Sequence, residues 1–398
     1  MAGIGIFGGC FNPPHKGHFA AAKSAAVQLG LRRLIVVPTA DPPHKKLPAG
    51  TPSAMQRLEL VRRAVGNDAL FSVSDVELRR EGKSYSVDTL RHFQTQYPED
   101  ALYLLVGTDE FLSFHQWKDA GQIARMATLV CMRRTDEEPK LYEQQQRLER
   151  EYGLTILFAE NPVVELSSTT VRRMLFFGCG ESYLEPDVYA YIRENGLYGT
   201  NDDNRSLPFE ALKEKSLALH DEKRVPHVIG CSKLAKALAI RYGLDPDTAE
   251  RAGILHDVTK ALPPKQQYEF CAFYRVPLDE EEQGNAKLLH AITASVAARE
   301  VFGESEDVCT AIRWHTTGHG DMTTMEKILY IADYAEENRD FDGVERLRRA
   351  LDESLNGAML MGLEMTMEQL RENRQIICRN TLQAHETVLR ERNEENHT

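Results

Sequence analysis

Two histidines near the beginning of the chain have the type and spacing expected of chemistry on phosphates. His15 and His18 lie three residues apart where an alanine-rich helical segment starts, so both side chains can face one side. They follow a short apolar run and the pair Gly8 and Gly9, where a backbone without Cβ atoms can turn sharply and approach a ligand. Backbone N–H groups and the helix dipole favour an anion there, and the imidazoles add donors for an oxyanion.

A second phosphate cradle is predicted further along the first half of the chain. Ser167 or Ser168 suits a helix N-cap, because a hydroxyl oxygen can accept from the free N–H groups of the first turn. Thr169 adds a hydroxyl and Arg172 adds a guanidinium one turn into the same helix. These groups suit the β and γ phosphates of a nucleoside triphosphate. Taken alone the stretch is explained as well by a plain capped helix, but its pairing with the opening motif favours the cradle.

The second half of the chain contains histidines and aspartates in a pattern that predicts a metal site. The candidate ligands are His227, His256, Asp257, His290, His315 and Asp333, each on or beside an apolar helical segment. A carboxylate is costly to bury in such surroundings unless a cation or hydrogen bonds compensate it. Six ligands can hold two metal ions with Asp257 between them, and imidazole with carboxylate suits iron, manganese, cobalt or zinc. The sequence does not choose among these metals.

Strands alternate with helices over residues 1–199, which predicts an α/β domain with a parallel sheet covered on both faces. The predicted strands are 4–7, 34–38, 71–76, 102–106, 128–132 and 156–158, and the predicted helices include 19–29, 53–65, 84–93 and 136–151. In the second of these helices Met55, Leu58 and Val61 are expected to face the core. Ligands bind beyond the carboxyl ends of such strands, so the turns there are the expected pocket walls.

Residues 200–208 are polar and rich in turn-forming residues, which predicts a linker. The hydrophobic pattern of the chain changes after this stretch. Residues 209–365 show amphipathic helices and almost no strand pattern, so they predict an all-α domain. Residues 366–398 predict a charged amphipathic helix and tail, more suited to packing or to oligomer formation than to a site. The expected organisation is therefore two domains, a linker and a C-terminal helix.

Composition limits the partners and the compartment. The chain has 398 residues and a formal net charge of −12, which disfavours general binding to nucleic acid because the phosphate backbone would repel it. Small anionic substrates stay possible in a locally positive pocket. The seven cysteines are scattered without a CxxC pair, as in buried small residues of a reducing compartment. With no signal peptide and no long apolar run, we expect a cytoplasmic protein without a membrane span.

The opening stretch from Gly8 to His18 resembles the GGxFxPxHxGH signature of the nucleotidyltransferase α/β-phosphodiesterase superfamily, and the SSTTVRR stretch is similar to its ISSTxIR motif. Other stretches resemble one of its families, the bacterial nicotinate-mononucleotide adenylyltransferases. They are PPHK at 42–45, SYSVDTL at 84–90, GTDEF at 107–111 and VYAYI at 188–192. The resemblance covers about residues 1–200 and implies a Rossmann-like fold.

This resemblance implies transfer of AMP from ATP, with Mg²⁺, to nicotinate mononucleotide, giving deamido-NAD and pyrophosphate in NAD biosynthesis. His15, His18 and Arg172 are the implied catalytic residues. The implied substrate contacts are Gly8, Gly9, Phe11, His44, Lys45, Thr89, Gly107, Asp109, Trp117, Arg133, Ser167, Ser168 and Thr169. Of these, Trp117 would stack on the pyridine ring. Transfer to nicotinamide mononucleotide or to phosphopantetheine is the alternative.

The order H…HD…H…H…D resembles the HD-domain metal-dependent phosphohydrolases. The stretches HDVTK at 256–260, HTTG at 315–318 and IADY at 331–334 are similar to the bacterial branch of symmetrical diadenosine tetraphosphate hydrolases. This resemblance, over about residues 205–365, implies hydrolysis of diadenosine tetraphosphate to two ADP. It implies Asp257 and Lys260 as catalytic residues and favours iron as the metal. A nucleotidase, a deoxynucleotide phosphohydrolase and a non-catalytic regulatory module are the alternatives, and a homo-oligomer is possible.

Overall fold

The computed structural model describes residues 3–43, 46–133, 138–160 and 166–395. The chain divides into two compact units, Met1–Asp202 and Asp203–Thr398. Within the described ranges, no helix is both long enough and apolar enough to cross a membrane. The seven cysteines are free, and Cys10 and Cys378 are only partly buried, unlike the other five.

The N-terminal unit is built on a six-stranded parallel sheet, as predicted. The strands are β1 (Gly3–Gly9), β2 (Leu31–Pro38), β3 (Phe71–Val73), β4 (Ala101–Gly107), β5 (Ala127–Met132) and β6 (Ile156–Ala159). Their order is β3-β2-β1-β4-β5-β6, with each neighbouring pair parallel. All six carboxyl ends therefore lie along one edge of the sheet, at which the chain turns into helices or loops.

Helices cover both faces of this sheet. They are α1 (Lys16–Gln28), α2 (Ala54–Val65), α3 (Ser86–Gln96), α4 (Thr108–Ser113), α5 (Ala120–Met126), α6 (Glu138–Tyr152), α7 (Ser168–Phe176) and α8 (Pro186–Glu194). Side chains alternate between the faces along each strand. In β2, Leu34 and Val36 belong to the core cluster that includes residues of α1 and α2, whereas Ile35 and Val37 belong to the cluster that includes residues of α3 and α6. The strands are continuous apolar runs because both of their faces are buried.

Three local predictions for this unit are wrong. Strand β3 ends at Val73 rather than at residue 76. Met55, expected to face the core, is 63% exposed, and Arg57 is buried instead. The backbone does not turn at Gly8 and Gly9, because β1 continues through both residues.

The C-terminal unit is helical throughout its described residues, as predicted for residues 209–365. Its helices are α9 (Phe209–Leu217), α10 (Val225–Arg241), α11 (Pro246–Leu255), α12 (Pro264–Phe273), α13 (Glu280–Gly284), α14 (Leu289–Glu300), α15 (Glu306–Trp314), α16 (Thr324–Ala335), α17 (Val344–Glu353), α18 (Leu355–Glu372) and α19 (Arg379–Glu395). Helices α10 and α11 approach closely at Gly253, where a Cβ would lie 2.5 Å from Ser232 Cα. The absence of a side chain at Gly253 therefore allows close contact between α10, which carries His227, and α11, which ends at His256.

The prediction of a single helix over residues 366–398 is wrong. Helix α18 continues to Glu372, and α19 begins only at Arg379. Arg374, between them, has a left-handed φ of 52°, a conformation that a continuous helix excludes. Helix α19 buries Ala384 and Val388, which agrees with the expected packing role. The predicted domain boundary after residue 365 falls inside α18.

Candidate active sites

The first candidate site lies where β1 ends and α1 begins. His15 is the N-cap residue of α1 and is buried, and His18 follows one turn later. Their rings are stacked with centroids 3.6 Å apart. The backbone N–H of His15 donates to His18 Nδ1 at 3.1 Å. Because Nδ1 accepts, a neutral His18 carries its proton on Nε2 and can donate from that atom.

The ring of Phe11 packs against the His18 imidazole. Phe11 has a left-handed φ of 45°, and its buried ring packs edge-on against Phe7 at 5.3 Å and against His18 at 5.5 Å. A Cβ on Gly9 would lie 3.3 Å from the Phe11 ring. Glycine at position 9 thus leaves room for the aromatic packing. The Phe11 side chain, predicted as a substrate contact, is 3% exposed and supports His18.

The start of α7 is joined directly to the loop after β1. Ser167 is the N-cap, since its Oγ accepts from Thr170 N at 3.1 Å. Ser168 Oγ donates to the carbonyl of Pro13 at 2.9 Å. Arg172 donates from Nη1 to the carbonyl of Asn12 at 2.6 Å and from Nη2 to Thr169 Oγ1 at 3.1 Å. The two predicted phosphate cradles are thereby brought together.

Sequence reasoning missed Arg57, which joins the loops beyond two strands. Its side chain is 1% exposed. It donates to the carbonyls of Cys10 and Thr39 at 2.7 Å each, and to that of Ala40 at 3.1 Å. Burial lowers the pKa of this guanidinium. A cation at an inward position of a predicted amphipathic helix was the available signal, because arginine is rarely buried without partners.

Thr89, predicted to contact substrate, lies in a buried hydrogen-bond network. Its Oγ1 donates to Glu77 Oε1 at 2.7 Å and accepts from Arg80 Nη2 at 2.5 Å. Burial raises the pKa of Glu77, although Thr89 and Arg80 oppose this shift. The Thr89 hydroxyl is therefore held by protein groups in this structure.

The other predicted contacts are distributed along the carboxyl edge of the sheet. Gly107 ends β4 and caps α4, in whose first turn Asp109 is exposed. Trp117 packs on Phe114 with centroids 4.9 Å apart. The Arg133 guanidinium, just after β5, lies 5.2 Å from the centroid of the Phe158 ring. The predicted contacts His44 and Lys45 lie outside the described residues.

The second candidate site, in the C-terminal unit, brings the six predicted metal ligands together. His227 Nε2 lies 3.1 Å from Asp333 Oδ1 and 3.3 Å from His256 Nε2. Asp257 lies between two pairs of histidines. Its Oδ2 is 3.3 Å from His256 Nε2, and its Oδ1 is 3.5 Å from His290 Nε2 and 3.7 Å from His315 Nε2.

All four histidines are oriented in the same way. Each places Nδ1 against an acceptor and so presents Nε2 to the two aspartates. The Nδ1 acceptors are Glu336 Oε1 for His227 at 3.0 Å, Gly253 O for His256 at 2.8 Å, Lys287 O for His290 at 2.8 Å and Ile312 O for His315 at 2.7 Å. Metal-binding histidines are typically held through their second nitrogen in this manner.

The donor set fits divalent transition metals. Ligand atoms of His227, His256 and Asp333 lie within 4.8 Å of one another, as do those of His256, Asp257 and His315. Asp257 Oδ1 is buried, and no residue in the described ranges gives it a hydrogen bond. Nitrogen and oxygen ligands of this kind suit iron, manganese, cobalt or zinc.

His290 lies at the edge of this set. Its Nε2 is 2.8 Å from Lys260 Nζ, and it belongs to neither of the two groups of three. Burial lowers the pKa of His290 to about 3, and the Lys260 ammonium acts in the same direction. The ring is therefore neutral near pH 7, which is the form that binds metal.

Three cations surround the aspartates. Arg224 Nε donates to Asp257 Oδ2 at 2.7 Å, and Lys260 Nζ is 3.9 Å from Asp257 Oδ1. Arg339 donates to the Asp333 carboxylate and, from Nε, to the Asp333 carbonyl at 2.6 Å. Sequence reasoning found Lys260 and missed both arginines. Their positions shortly before His227 and shortly after Asp333 were the only signal.

Comparison with known proteins gives a match in each half of the chain. A family model described as cytidylyltransferase-like matches residues 6–174, and the HD domain model matches residues 224–338. A probable nicotinate-nucleotide adenylyltransferase of Pelobacter propionicus is 35% identical over 211 residues, covering 49% of this chain and 97% of the relative. A relative of the same description from Desulfitobacterium hafniense is 36% identical over 200 residues, covering 49% and 95%.

One similar solved structure is described as a predicted HD superfamily hydrolase involved in NAD metabolism, from Clostridium acetobutylicum. It is 35% identical with a TM-score of 0.45, and the match covers 46% of this chain and 98% of that one.

The fold and the two sites define a nucleotidyltransferase of the cytidylyltransferase-like class, followed in the same chain by an HD domain. The N-terminal match spans nearly the whole length of the relatives. The chain belongs to the nicotinate-nucleotide adenylyltransferase family. Its N-terminal unit is accordingly an adenylyltransferase of NAD biosynthesis, and its HD domain implies binding of divalent metal.

Proposed function

We propose that this chain is a bifunctional enzyme. Its N-terminal unit transfers AMP from ATP to nicotinate mononucleotide, and its HD unit hydrolyses diadenosine tetraphosphate to two ADP. The observation that carries the second activity is the convergence of four imidazole Nε2 atoms on two buried aspartates beside three cations. This arrangement suits metal-assisted hydrolysis of a polyphosphate.

In adenylyl transfer, the phosphate of nicotinate mononucleotide attacks the α-phosphorus of ATP in line, and the bond to pyrophosphate breaks. Such chemistry depends mainly on positioning and on charge stabilisation. His15 and His18 hold the α-phosphate as charge builds on its oxygens, with His18 Nε2–H as a donor. The bond from His15 N to His18 Nδ1 supports this role because it fixes the tautomer.

The leaving pyrophosphate is held at the start of α7 by Ser168, Thr169 and Arg172. The Arg172 bond to the Asn12 carbonyl supports this assignment, since it ties the leaving-group site to the loop that holds the α-phosphate. We propose that ATP arrives with Mg²⁺, which neutralises charge on the pyrophosphate.

Other residues recognise the remaining parts of the substrates. Gly107 and Asp109 contact the adenosine ribose, and Trp117 stacks on the pyridine ring.

In the HD unit, His227, His256, Asp257, His315 and Asp333 hold one or two divalent metal ions, with His290 beside them. When bound, the metal supplies Lewis acidity that activates water and polarises a phosphate. Lys260, Arg224 and Arg339 bind the phosphate oxygens. Water adds to a phosphorus beside the central bridging oxygen and the central P–O bond breaks, so two ADP leave.

We propose iron as the metal, the cytoplasm as the compartment, and residues 1–199 and a helical region that begins at residue 209 as the two domains. The test of the second activity is incubation of the metal-loaded full-length protein with diadenosine tetraphosphate, followed by ion-exchange separation of the products. ADP as the sole product is expected. AMP with ATP would contradict symmetrical cleavage, and no turnover with metal bound would favour another nucleotide or a regulatory module.

A further inference from the structure

We propose that Glu336, a residue outside the six predicted ligands, is a positioning residue of the HD metal site. Its carboxylate fixes the tautomer of His227 and thereby strengthens metal binding. The inference rests on the proposed metal-dependent function of the HD unit, but it does not depend on which nucleotide that unit cleaves.

The first observation is the geometry of the carboxylate. Glu336 directly follows α16, and its side chain is fully buried. Its Oε1 lies 3.0 Å from His227 Nδ1. Its Oε2 accepts from the backbone N of Asn338 at 2.7 Å and from Asn338 Nδ2 at 2.9 Å. With both oxygens engaged, the carboxylate is held in one orientation.

The second observation is the glycine that faces it. Gly230 lies on α10, three residues after His227, so both residues face the same side of the helix. A Cβ at Gly230 would overlap Glu336 Oε2 and would lie 2.9 Å from Asn338 Nδ2. Helix α10 therefore accommodates this carboxylate only because position 230 has no side chain.

The chemical consequence concerns Nε2, the other ring nitrogen of His227. A carboxylate accepts only, so Nδ1 donates its proton to Glu336, and metal binding replaces only the proton on Nε2, which faces Asp333 Oδ1 at 3.1 Å. The other three site histidines place Nδ1 against backbone carbonyls. Within the described residues, His227 is thus the one site histidine whose Nδ1 is held by a carboxylate, an arrangement that supports the opposite nitrogen as a metal ligand.

The test compares Glu336→Gln with Glu337→Gln in the full-length protein. In either amide orientation, a glutamine NH₂ at position 336 would face a donor from His227 or Asn338. The Kd for Mn²⁺, measured by titration, is expected to rise about 10–100-fold in Glu336→Gln. Glu337 is 71% exposed and pairs with Lys233 at 3.8 Å, so its variant is the matched control and should bind as the wild type does.

A second measurement detects the Nδ1 proton without metal. Long-range ¹H–¹⁵N spectra of the metal-free protein should show a proton on His227 Nδ1 in the wild type and a partial loss of that proton in Glu336→Gln. Gly230→Ala should weaken Mn²⁺ binding similarly, and the double variant should be no weaker than either single one.

An unchanged Kd for Mn²⁺ in a folded Glu336→Gln protein, or a wild-type His227 without a proton on Nδ1, would overturn the inference. If Gly230→Ala fails to fold, the Glu336→Gln measurements decide alone. A higher Kd for Mn²⁺ in Glu336→Gln, together with no cleavage of diadenosine tetraphosphate by the wild type, would uphold the role of Glu336 and reject the proposed substrate.

Discussion

At the scale of single residues, hydrogen bonds to one nitrogen of an imidazole decide what the other nitrogen can do. In the N-terminal unit, His18 accepts at Nδ1 from a backbone N–H, so its Nε2 is a donor. In the HD unit, His256 has Nδ1 against a carbonyl, so its Nε2 is an acceptor suited to metal. The same side chain is thus prepared for an oxyanion in one unit and for a cation in the other.

The role of His18 predicts the effect of removing its ring. His18→Ala should lower the rate of adenylyl transfer by roughly 10²-fold, as the loss of one oxyanion donor does elsewhere. Pyrophosphate release with saturating ATP and nicotinate mononucleotide measures this rate. His92→Ala, which removes an exposed histidine of the same unit, is the control. Undiminished turnover would exclude His18 from the mechanism.

Arg224 should have opposite effects on metal and on anion. It binds the Asp257 carboxylate, a predicted metal ligand. Arg224→Gln frees that carboxylate, so the Kd for Mn²⁺ should stay the same or fall. Pyrophosphate binding to the Mn²⁺-loaded protein should weaken about 10-fold or more, because a charge-assisted hydrogen bond is lost.

Titration calorimetry measures both constants for Arg224→Gln. Lys223→Gln is the control, because it removes the same charge from the exposed neighbouring residue. Weaker metal binding in Arg224→Gln would show that the arginine stabilises the site rather than competing for it.

His290 makes the stability of the metal-free HD unit depend on pH. Burial and Lys260 lower its pKa to about 3 from 6.5, with Asp257 opposing and His315 adding to the shift. The unfolded chain binds this proton below pH 6.5 and the folded protein does not. The free energy of unfolding should therefore fall as pH drops from 6.5 towards 3, by up to about 1.4 kcal/mol per pH unit.

Comparison with a variant that lacks the imidazole separates the pH dependence due to His290 from that due to the aspartates. Chemical unfolding of metal-free wild type and His290→Asn should give a difference in free energy that is constant above about pH 7. Below that pH, the wild type should lose stability relative to the variant. A difference that does not change with pH would mean that His290 is not held neutral by the fold.

At the scale of elements, the sequence predicts what depends on local pattern. Strands buried on both faces are continuous apolar runs, so all six were predicted, and the order of histidines and aspartates predicted a set of side chains that the fold brings together. Charged residues that become buried were missed, because a lone charge in a sequence resembles a surface residue. Arg57 and Glu336 gain their roles from partners remote in sequence, such as His227, which lies 109 residues before Glu336.

The close crossing of α10 and α11 predicts that one added methyl group, at Gly253, lowers stability and weakens metal binding. Gly253→Ala would place a Cβ 2.5 Å from Ser232 Cα and 2.9 Å from Ser232 N, so the two helices must separate. The expected loss is about 1–3 kcal/mol in the free energy of unfolding. Mn²⁺ binding should also weaken, because the Gly253 carbonyl accepts from His256 Nδ1.

Denaturant unfolding and Mn²⁺ titration of Gly253→Ala measure the two effects. Gly284→Ala is the control, since a Cβ there meets nothing within 4 Å. If Gly253→Ala were as stable as the wild type, the close crossing would not determine the geometry of the site.

At the scale of the whole molecule, charge is distributed unevenly. The chain carries a formal net charge of −12, yet cations lie in both candidate sites. Arg172 lies at the first site, and Arg224, Lys260 and Arg339 lie at the second. Cations placed in a site can bind a small polyanion even in an acidic chain, whereas the net negative charge disfavours binding of nucleic acid.

Each site also takes its residues from one unit alone, which predicts separable activities. His15, His18 and Arg172 lie within Met1–Asp202, and the six predicted metal ligands lie within Asp203–Thr398. Asp257→Ala in the full-length protein should lose metal and hydrolysis of diadenosine tetraphosphate, because this carboxylate lies between the histidines.

The same Asp257→Ala protein should retain adenylyl transfer at the wild-type rate. His18→Ala should show the reverse pattern, so the two variants control for each other on identical chains. Metal content, pyrophosphate release and ADP release give the three readings. Parallel loss of both activities in Asp257→Ala, with a circular dichroism spectrum like that of the wild type, would mean that the HD unit supports the adenylyltransferase. Their independence would then be rejected.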